Sequence, residues 1–267
     1  MALALLLALR PCAARAGEGP APDRFPRAAA AYLVAVDGEE LWARSPDRPL
    51  PPASLTKIMT ALLALEDGGP LDAWLPISPR AAAETGSRIG LRAGEALTLR
   101  DALTATLVSS ANDACLAVAE HVAGGAEAFV ERMNQRAAAL GLSGTRFRNP
   151  CGHGAAGHVA TARDLLVLTR TALALPEFRR LVALESAAVT TRAGRRLALR
   201  THNALLGRLP GARGVKSGYT AAAGPCAVAL VERDGVEVLL VLLDAPRRWW
   251  TAAALVEAAF QEARRHG

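Results

Sequence analysis

The stretch ASLTKIMTALLALE, residues 53–66, decides how this 267-residue chain is interpreted. Its apolar side chains recur at the spacing of one helix face, at Ile58, Met59, Leu62 and Leu63. This periodicity predicts a helix that opens at Ser54 and packs in a core. Because residues i and i+3 lie on the same side of a helix, we expect Ser54 and Lys57 to be neighbours.

A serine beside a lysine can be a catalytic pair. The serine hydroxyl is a weak nucleophile until a base removes its proton. A lysine amine in water is protonated, with a pKa near ~10.4, but burial or a nearby cation lowers that pKa. Lys57, on an otherwise apolar helix, is therefore a candidate base for Ser54. The same motif also fits a helix-capping serine followed by an exposed lysine.

Two later segments favour the catalytic interpretation. Ser110-Ala111-Asn112 lies between two apolar helices, where a hydroxyl can relay a proton and an amide can hold a substrate peptide group. Lys216-Ser217-Gly218 lies on a predicted strand, where a lysine and a hydroxyl can bind a terminal carboxylate. Taken separately, the first segment also fits a helix cap, and the second fits an ordinary edge strand.

The two ends of the chain predict strands, and the middle predicts helices. The predicted strands are residues 31–36, 40–43, 214–219, 225–233 and 236–243. Asp37-Gly38 and Asp234-Gly235 are hairpin-turn signals between four of them. The economical architecture is α/β, in the α+β sense: one antiparallel sheet built from both chain ends and flanked by helices. An all-helical lobe of about residues 68–165 is inserted into it.

Helix boundaries are predicted by capping residues. Thr98 with Asp101 and Thr161 with Asp164 form capping boxes that begin two helices. Further helices are predicted at 112–123, 126–140 and 248–264. The last of these carries four apolar residues on one side, namely Trp250, Leu255, Ala259 and Phe260. We expect that side to pack against the sheet.

The three motifs, in this order, resemble the signature of penicillin-interacting serine enzymes. Over residues 30–245 the chain closely resembles the D-alanyl-D-alanine carboxypeptidases, the low-molecular-mass penicillin-binding proteins. The matching stretches are ASLTKIMTALLALE (53–66), SSANDACLAVAEHVAGG (109–125), AFVERMNQRAAALGLSGTRFRNP (128–150), TARDL (161–165) and GVKSGYT (214–220). The resemblance implies the β-lactamase/transpeptidase-like fold.

The resemblance also implies a catalytic role for three residues and a substrate-binding role for a fourth. Ser54 would attack the carbonyl between the two terminal D-alanines of a peptidoglycan stem peptide, and Lys57 would take its proton. Ser110 would relay that proton to the leaving D-alanine. Asn112 would hold the amide on the acyl side. The chemistry implied requires no metal and no organic cofactor, and penicillins would acylate Ser54.

The Lys-Ser-Gly strand is implied to bind the other end of the substrate. Lys216 and Ser217 would bind the terminal carboxylate, and Gly218 would let the substrate backbone approach closely. The backbone N–H groups of Ser54 and Tyr219 would form the oxyanion hole. Ser217 stands where the family most often has threonine, which keeps the hydroxyl.

The cysteines allow more than one interpretation. Cys151 replaces a residue that is commonly histidine in the family, and this puts the outer substrate contacts in doubt. Cys115, Cys151 and Cys226 would remain after removal of a leader, so at most one bridge can form. We expect small buried side chains rather than a metal site or a disulfide framework.

The N-terminal segment predicts export. Residues 1–16 combine a short apolar run with an Ala14-Arg15-Ala16 cleavage pattern, and 17–28 form a Pro/Gly-rich linker before a catalytic domain at 29–267. The predicted location is the periplasm or another extracytoplasmic, cell-wall side, with membrane association only if the leader is retained. The net charge of +6 comes from scattered arginines and suits a solvated surface or an anionic wall. No nucleic-acid motif accompanies it.

Three rival functions remain open on the sequence. A peptidoglycan DD-endopeptidase has very similar motifs, although the run from Ser110 to Ala114 favours the carboxypeptidase. A β-lactamase shares the fold and needs fast deacylation, but no convincing Glu-x-x-x-Asn element precedes Lys216. A non-catalytic wall-binding scaffold is disfavoured because the nucleophile is present.

Overall fold

The computed structural model describes residues 25–266. The strands in this range are β1 (Ala31–Val36), β2 (Glu39–Arg44), β3 (Trp74–Pro76), β4 (Ala96–Thr98), β5 (Ser186–Thr190), β6 (Arg196–Arg200), β7 (Ala212–Thr220), β8 (Gly224–Arg233) and β9 (Val236–Leu243). The helices are α1 (Lys57–Asp67), α2 (Pro79–Ala82), α3 (Leu99–Val108), α4 (Asn112–Ala123), α5 (Ala126–Ala139), α6 (Ala162–Leu173), α7 (Pro176–Val182) and α8 (Arg248–His266). The predicted leader, 1–16, and most of the linker lie outside the described residues.

The main sheet confirms the predicted use of both chain ends. Its strand order is β2-β1-β9-β8-β7, and every neighbouring pair is antiparallel. Asp37 and Asp234 occupy the two predicted hairpin turns and have φ values of 46° and 50°. Such positive φ values match the twist of the strands that these turns connect. Strand β7 is one edge of the sheet.

Two hydrophobic layers cover the two faces of the sheet. Successive side chains of a strand point to opposite faces. In β9, Leu239, Val241 and Leu243 belong to the core shared with α1 and α6. The alternate residues of the same strand belong to a second core, where they pack with α8.

Helix α8 packs against the sheet as predicted, with one exception. Leu255, Ala259 and Phe260 are buried in the second core, but Trp250 is 81% exposed. Trp250 lies in the first turn of α8, five residues before Leu255. At 3.6 residues per turn this spacing puts the two side chains on different sides of the helix, so Trp250 was wrongly assigned to the apolar side. No helix among residues 25–266 is long and apolar enough to span a bilayer.

The inserted lobe is not all-helical, which corrects the sequence prediction. Helices α2 to α5 form most of it, but β3 and β4 pair there as a small antiparallel sheet. A second unpredicted pair, β5 with β6, follows the lobe. These strands have three to five residues and bury only one side chain each, so they give no usable alternation.

The predicted capping residues are confirmed. Thr98 Oγ1 accepts a hydrogen bond from the Asp101 N–H at 3.1 Å, and α3 begins at the next residue. Thr161 Oγ1 accepts from the Asp164 N–H at 3.0 Å at the start of α6. Each cap satisfies one of the backbone N–H groups that a helix leaves unpaired at its first turn.

Core packing of α1 can be tested with a matched pair of substitutions. Leu62→Ala, at a fully buried position, is expected to lower the free energy of unfolding by about 2–5 kcal/mol because it leaves a cavity. Val167→Ala, at a position 38% exposed on α6, is expected to change it by less than about 0.5 kcal/mol. Urea denaturation of both variants measures the difference. Equal losses in the two variants would contradict this packing.

Candidate active site

The nucleophile turn is the 3₁₀ turn Ala53–Thr56, which carries Ser54. The sequence predicted that Ser54 opens the helix itself, whereas α1 begins at Lys57. Ala53 has a left-handed backbone with φ of 48°, a conformation that is unfavourable for a residue with a side chain. The turn leaves Ser54 partly exposed, while Lys57 is completely buried.

Three oxygen atoms surround the amine of Lys57. Its Nζ lies 3.1 Å from Ser54 Oγ, 2.8 Å from Asn112 Oδ1 and 2.5 Å from the Cys151 carbonyl oxygen. The last two oxygens can only accept hydrogen bonds. A neutral amine has two N–H bonds and one lone pair. When its N–H groups donate to Asn112 and Cys151, the lone pair faces the hydroxyl of Ser54.

The surroundings of Lys57 favour this neutral form. Burial lowers the pKa of Lys57 well below its ordinary value, and the positive charge of Lys216 lowers it further. Glu84 raises this pKa and is the smallest of the three contributions. Removing a charged group from water penalises its ionised form, so the amine can lose its proton at a pH where an exposed lysine keeps it.

The Ser-x-Asn segment contacts both lysines. Asn112 is the first residue of α4, and its Nδ2 donates to the Thr85 carbonyl at 2.6 Å. That bond orients Oδ1 of Asn112 toward Lys57. Ser110 has φ of 57°, and its Oγ accepts a hydrogen bond from Lys216 Nζ at 2.9 Å. The two predicted residues therefore lie between the two amines.

Lys216 forms a buried cationic corner on β7. Its Nζ donates to Ser110 Oγ and to the Ser217 carbonyl, each at 2.9 Å. Burial lowers the pKa of Lys216 to about 7, and the charge of Arg248 contributes to the shift. Arg248 Nη1 donates to the Gly218 carbonyl at 2.6 Å. Arg248 was not predicted from the sequence, because it precedes two tryptophans at a helix start and belongs to no motif.

Strand β7 lies directly against the nucleophile turn. A Cβ atom on Gly218 would lie 2.8 Å from the Ser54 nitrogen and 3.0 Å from Ala53 Cβ, so a side chain there would displace the turn. Ser217 is buried, whereas Tyr219 is 65% exposed. The turn, the start of α4 and β7 therefore bring the predicted residues together around Ser54.

The distribution of lysines along the sequence also distinguishes these two positions. The whole chain has 31 lysine and arginine residues, and only Lys57 and Lys216 are lysines. Arginine stays protonated in proteins, whereas a buried lysine can lose its proton. The chain thus has lysine only at the two positions where a titratable amine lies in the site.

Asp113 supports the site and was also missed as a functional residue. It is fully buried at the first turn of α4. Its carboxylate accepts hydrogen bonds from three backbone N–H groups of a neighbouring loop, those of Ile89, Gly90 and Leu91. The loop that precedes them supplies the Thr85 carbonyl that orients Asn112. The signal in the sequence that could have predicted this role is the Asn112-Asp113 pair at the start of a helix.

The cysteines correct the sequence prediction. Cys115 on α4 and Cys151 form a disulfide, with Cα atoms 6.0 Å apart, so these two are not simple buried thiols. Cys226 is a free, buried cysteine, as expected. The two bonded residues are separated by 36 positions and meet only through the packing of α4 against a loop, which no spacing rule could indicate.

His158 is hydrogen-bonded to Thr56, the last residue of the nucleophile turn. Its Nδ1 accepts from the Arg148 N–H at 3.0 Å, which leaves the proton on Nε2. Nε2 lies 2.8 Å from Thr56 Oγ1, whose own proton goes to the Ala53 carbonyl. Burial lowers the pKa of His158 to about 4, and the nearby His153 and Arg148 charges act in the same direction. The imidazole is therefore neutral in a single tautomer.

The fold and the Ser-x-x-Lys, Ser-x-Asn and Lys-Ser-Gly arrangement define a penicillin-interacting serine enzyme. Comparison with known proteins identifies the family. Residues 21–247 match the family described as D-alanyl-D-alanine carboxypeptidase, and the chain belongs to that family. The resemblance found in the sequence is thereby confirmed.

Several individual proteins described as D-alanyl-D-alanine carboxypeptidases or endopeptidases are also similar in sequence to this chain. The chain is 32% identical to the D-alanyl-D-alanine carboxypeptidase DacF of Bacillus subtilis, across 90% of this chain and 64% of that protein's length. It is 32% identical to DacB2 of Mycobacterium tuberculosis, across 92% and 86% of the two lengths. A D-alanyl-D-alanine endopeptidase of Pseudomonas aeruginosa is 37% identical, across 78% and 68%.

Solved structures confirm the β-lactamase/transpeptidase-like fold. The crystal structure of a Streptomyces DD-transpeptidase superposes with a TM-score of 0.82 at 28% identity, covering 88% of this chain and 97% of that one. The D-alanyl-D-alanine carboxypeptidase DacD of Francisella tularensis also gives a TM-score of 0.82, at 26% identity, covering 87% and 70%.

The neutral His158 predicts how stability depends on pH. Because its pKa is about 4 in the folded chain and near 6.5 when unfolded, the unfolded chain binds more protons between these values. The contribution of His158 to the free energy of unfolding should therefore be fully present above pH 6.5. It should fall by about 3 kcal/mol as the pH decreases toward 4. Urea denaturation across this range measures the decline.

His158→Gln is the control for that decline. Glutamine can still bond both neighbours but does not titrate, so the decline between pH 6.5 and 4 should be smaller in the variant. An identical pH dependence in the two proteins would show that His158 is not its source.

Proposed function

We propose that this protein is a serine-type D-Ala-D-Ala carboxypeptidase. It removes the terminal D-alanine of peptidoglycan stem peptides through an acyl-enzyme on Ser54, in the domain that we assign to residues 29–267. The observation that carries the proposal is the set of three oxygen contacts of Lys57 Nζ. Because burial favours the neutral amine, whose two N–H groups donate to Asn112 and Cys151, its lone pair is left for the Ser54 hydroxyl. Membership of the carboxypeptidase family supports the choice of substrate.

Acylation begins with transfer of the Ser54 proton to Lys57 Nζ, while Oγ attacks the carbonyl carbon of the penultimate D-alanine. The backbone N–H groups of Ser54 and Tyr219 form the oxyanion hole, which is supported by the close packing of Gly218 against Ser54. Electrostatic stabilisation by such fixed donors is commonly the largest catalytic contribution. Asn112 holds the amide on the acyl side of the substrate.

The carboxylate of the terminal D-alanine binds at the cationic corner. Lys216 supplies positive charge there, and Ser217 supplies a hydroxyl donor. The substrate backbone runs beside the edge strand β7, where Gly218 permits close approach. Burial of Lys216 strengthens its attraction for an anion, because the local dielectric is low.

The leaving D-alanine departs with a proton relayed by Ser110. Ser110 Oγ accepts a hydrogen bond from Lys216, so its own proton can be donated to the leaving nitrogen. Ser110 then takes the proton that Lys57 received from Ser54, which returns both side chains to their starting states. The tetrahedral intermediate then collapses to an ester on Ser54. Water hydrolyses this ester and restores the hydroxyl. Penicillin would acylate the same oxygen.

One specific observation favours a second candidate, a peptidoglycan DD-endopeptidase. A relative with 37% identity is described as a D-alanyl-D-alanine endopeptidase. That reaction needs the same nucleophile but a cross-linked substrate. Incubation with both a stem pentapeptide and a cross-linked dimer separates the candidates, since preferential release of D-alanine from the pentapeptide supports the carboxypeptidase.

The proposed location is extracytoplasmic. The Cys115–Cys151 disulfide supports it, because structural disulfides form mainly in oxidising compartments. The proposed partners are wall stem peptides and β-lactams, not nucleic acid. Membrane association would require the N-terminal segment, 1–16, to be retained.

The nucleophile is tested by mass spectrometry of the intact protein after exposure to penicillin. The wild type is expected to gain one penicillin mass that persists, because the active serine forms an ester. Ser54→Ala should gain nothing, and Ser186→Ala, an exposed hydroxyl on β5, should behave as the wild type.

Two outcomes would contradict the assignment. An adduct retained in Ser54→Ala would place the nucleophile elsewhere. Rapid loss of penicillin without a lasting adduct would favour a β-lactamase, and neither adduct nor turnover by folded protein would favour a wall-binding scaffold.

The two lysines predict a bell-shaped pH profile for kcat/KM. The profile of kcat/KM reports groups of the free enzyme. Activity should rise with pH as Lys57, with its lowered pKa, loses its proton and becomes a base. Activity should fall above about pH 7 as Lys216 loses the charge that binds the carboxylate.

Lys216→Arg distinguishes the two limbs of that profile. Arginine stays charged, so the variant should lose the alkaline limb while it keeps the acid one, at a lower maximum because the two side chains differ in shape. Arg213→Lys, at an exposed position of β7, is the matched control and should keep both limbs. An unchanged alkaline limb in Lys216→Arg would refute the role assigned to Lys216.

A further inference from the structure

The loop of residues 149–153 is organised around the base of the site. Asn149 Oδ1 accepts hydrogen bonds from the N–H groups of Cys151, Gly152 and His153, at 3.2, 2.7 and 3.0 Å. The Pro150 carbonyl accepts from Thr60 Oγ1 of α1 at 2.5 Å. The loop therefore contacts the same helix that carries Lys57.

The same loop also contacts the nucleophile turn. Gly152 has φ of 87°, and a Cβ atom built on it would collide with the Ala53 carbonyl and lie 2.9 Å from the Ser54 nitrogen. The residue before it, Cys151, supplies the carbonyl oxygen that accepts from Lys57 Nζ at 2.5 Å. A displacement of this loop would thus alter the surroundings of both Ser54 and Lys57.

The disulfide joins this loop to the helix that carries the other acceptor. Cys115 lies three residues after Asn112 on α4, hence on the same face of the helix. Its bond to Cys151 connects the segment that supplies Asn112 Oδ1 to the segment that supplies the Cys151 carbonyl. Both sulfur-bearing side chains are buried.

We propose that the Cys115–Cys151 disulfide positions the catalytic base. It keeps the two acceptors of Lys57 Nζ at a fixed separation, so that the remaining lone pair faces Ser54 Oγ. Cys115 and Cys151 are positioning residues, since their bonded side chains act through Lys57 and only the backbone carbonyl of Cys151 contacts its amine. This inference rests on the proposed function, in which Lys57 deprotonates Ser54.

The positioning role differs from simple stabilisation of the fold. Cys151→Ala keeps the backbone carbonyl that Lys57 contacts and removes only the covalent link that holds it. A loop that moves away also admits water to Lys57, whose pKa is lowered mainly by burial. Lys216 and Glu84, the charged groups that act on Lys57, remain in both forms of the protein.

The test is the second-order rate of Ser54 acylation by penicillin in Cys115→Ala, in Cys151→Ala and in the double variant. Each should fall about 10- to 100-fold, since small misplacements of reacting groups have effects of this size. The double variant should resemble the single ones, because either substitution removes the same bond. The acid limb of the acylation pH profile should move to higher pH in all three, as the base becomes more hydrated.

Two controls separate positioning from stability. Val256→Ala lies in the core between α8 and the sheet, so it should lower stability without changing the acylation rate or its pH profile. Cys226→Ser replaces a cysteine that is not part of the disulfide, so it controls for loss of a cysteine as such. This variant should retain the wild-type pH profile. Circular dichroism at the assay temperature confirms that each variant is folded, and Cys115→Val with Cys151→Ala replaces lost volume if the double variant unfolds.

Wild-type rates and an unmoved pH profile in folded variants without the disulfide would overturn the positioning role, even if their melting temperatures fall. The result is distinct from failure of the proposed function. If the wild type itself is not acylated at Ser54, the proposed function fails; if it is acylated and the cysteine variants match it, only this inference fails.

Discussion

To act as a base for Ser54, the amine of Lys57 must be neutral and its lone pair must face the serine hydroxyl. Much of the structure serves these two requirements. Its burial among the apolar side chains of α1 favours the uncharged form, and Lys216 adds repulsion. The acceptors Asn112 Oδ1 and the Cys151 carbonyl then occupy two positions around the nitrogen. Only Ser54 Oγ remains for the lone pair. A charged lysine would have no lone pair to accept the proton. A freely rotating neutral lysine would have one, but it would not be held toward Ser54.

Each acceptor of Lys57 depends on a different part of the fold. Asn112 is oriented by the Thr85 carbonyl, in a loop whose continuation is held by the buried carboxylate of Asp113. Cys151 belongs to the loop capped by Asn149 and linked to α4 by the disulfide. The main sheet contributes its edge strand β7, which carries Lys216 and the glycine that packs on the nucleophile turn. The inserted lobe and the sheet thus both contribute residues to the site.

The fold was predictable where burial produces a clear period or a turn has a strong signal. The hairpins at Asp37 and Asp234, the capped helices at Thr98 and Thr161, and helix α4 all follow from local chemistry. The pairs β3–β4 and β5–β6 were missed because short strands with one buried residue each show no alternation. Exposed Trp250 was misassigned because a spacing of five residues from Leu255 does not place two side chains on one helix face.

The site was predictable residue by residue only where a motif carried it. Five residues stand in recognisable motifs, namely Ser54, Lys57, Ser110, Asn112 and Lys216. The structure brings Lys57 within hydrogen-bonding distance of Ser54 and Asn112, and Lys216 within hydrogen-bonding distance of Ser110. Arg248, Asp113 and the partner cysteines reach the site through tertiary packing, which local sequence does not encode. The restriction of lysine to two positions was visible in the composition, but its meaning depends on their burial.

That restriction also allows the most direct test of the account, NMR of the free enzyme with isotope-labelled lysine. The spectrum should contain two side-chain amine signals, because the chain has two lysines, and Lys216→Arg assigns the one that remains to Lys57. We predict that Lys57 has the chemical shift of a neutral amine at neutral pH and becomes an ammonium only in acid. A Lys57 signal that remains an ammonium throughout the active pH range would contradict its role as the base for Ser54.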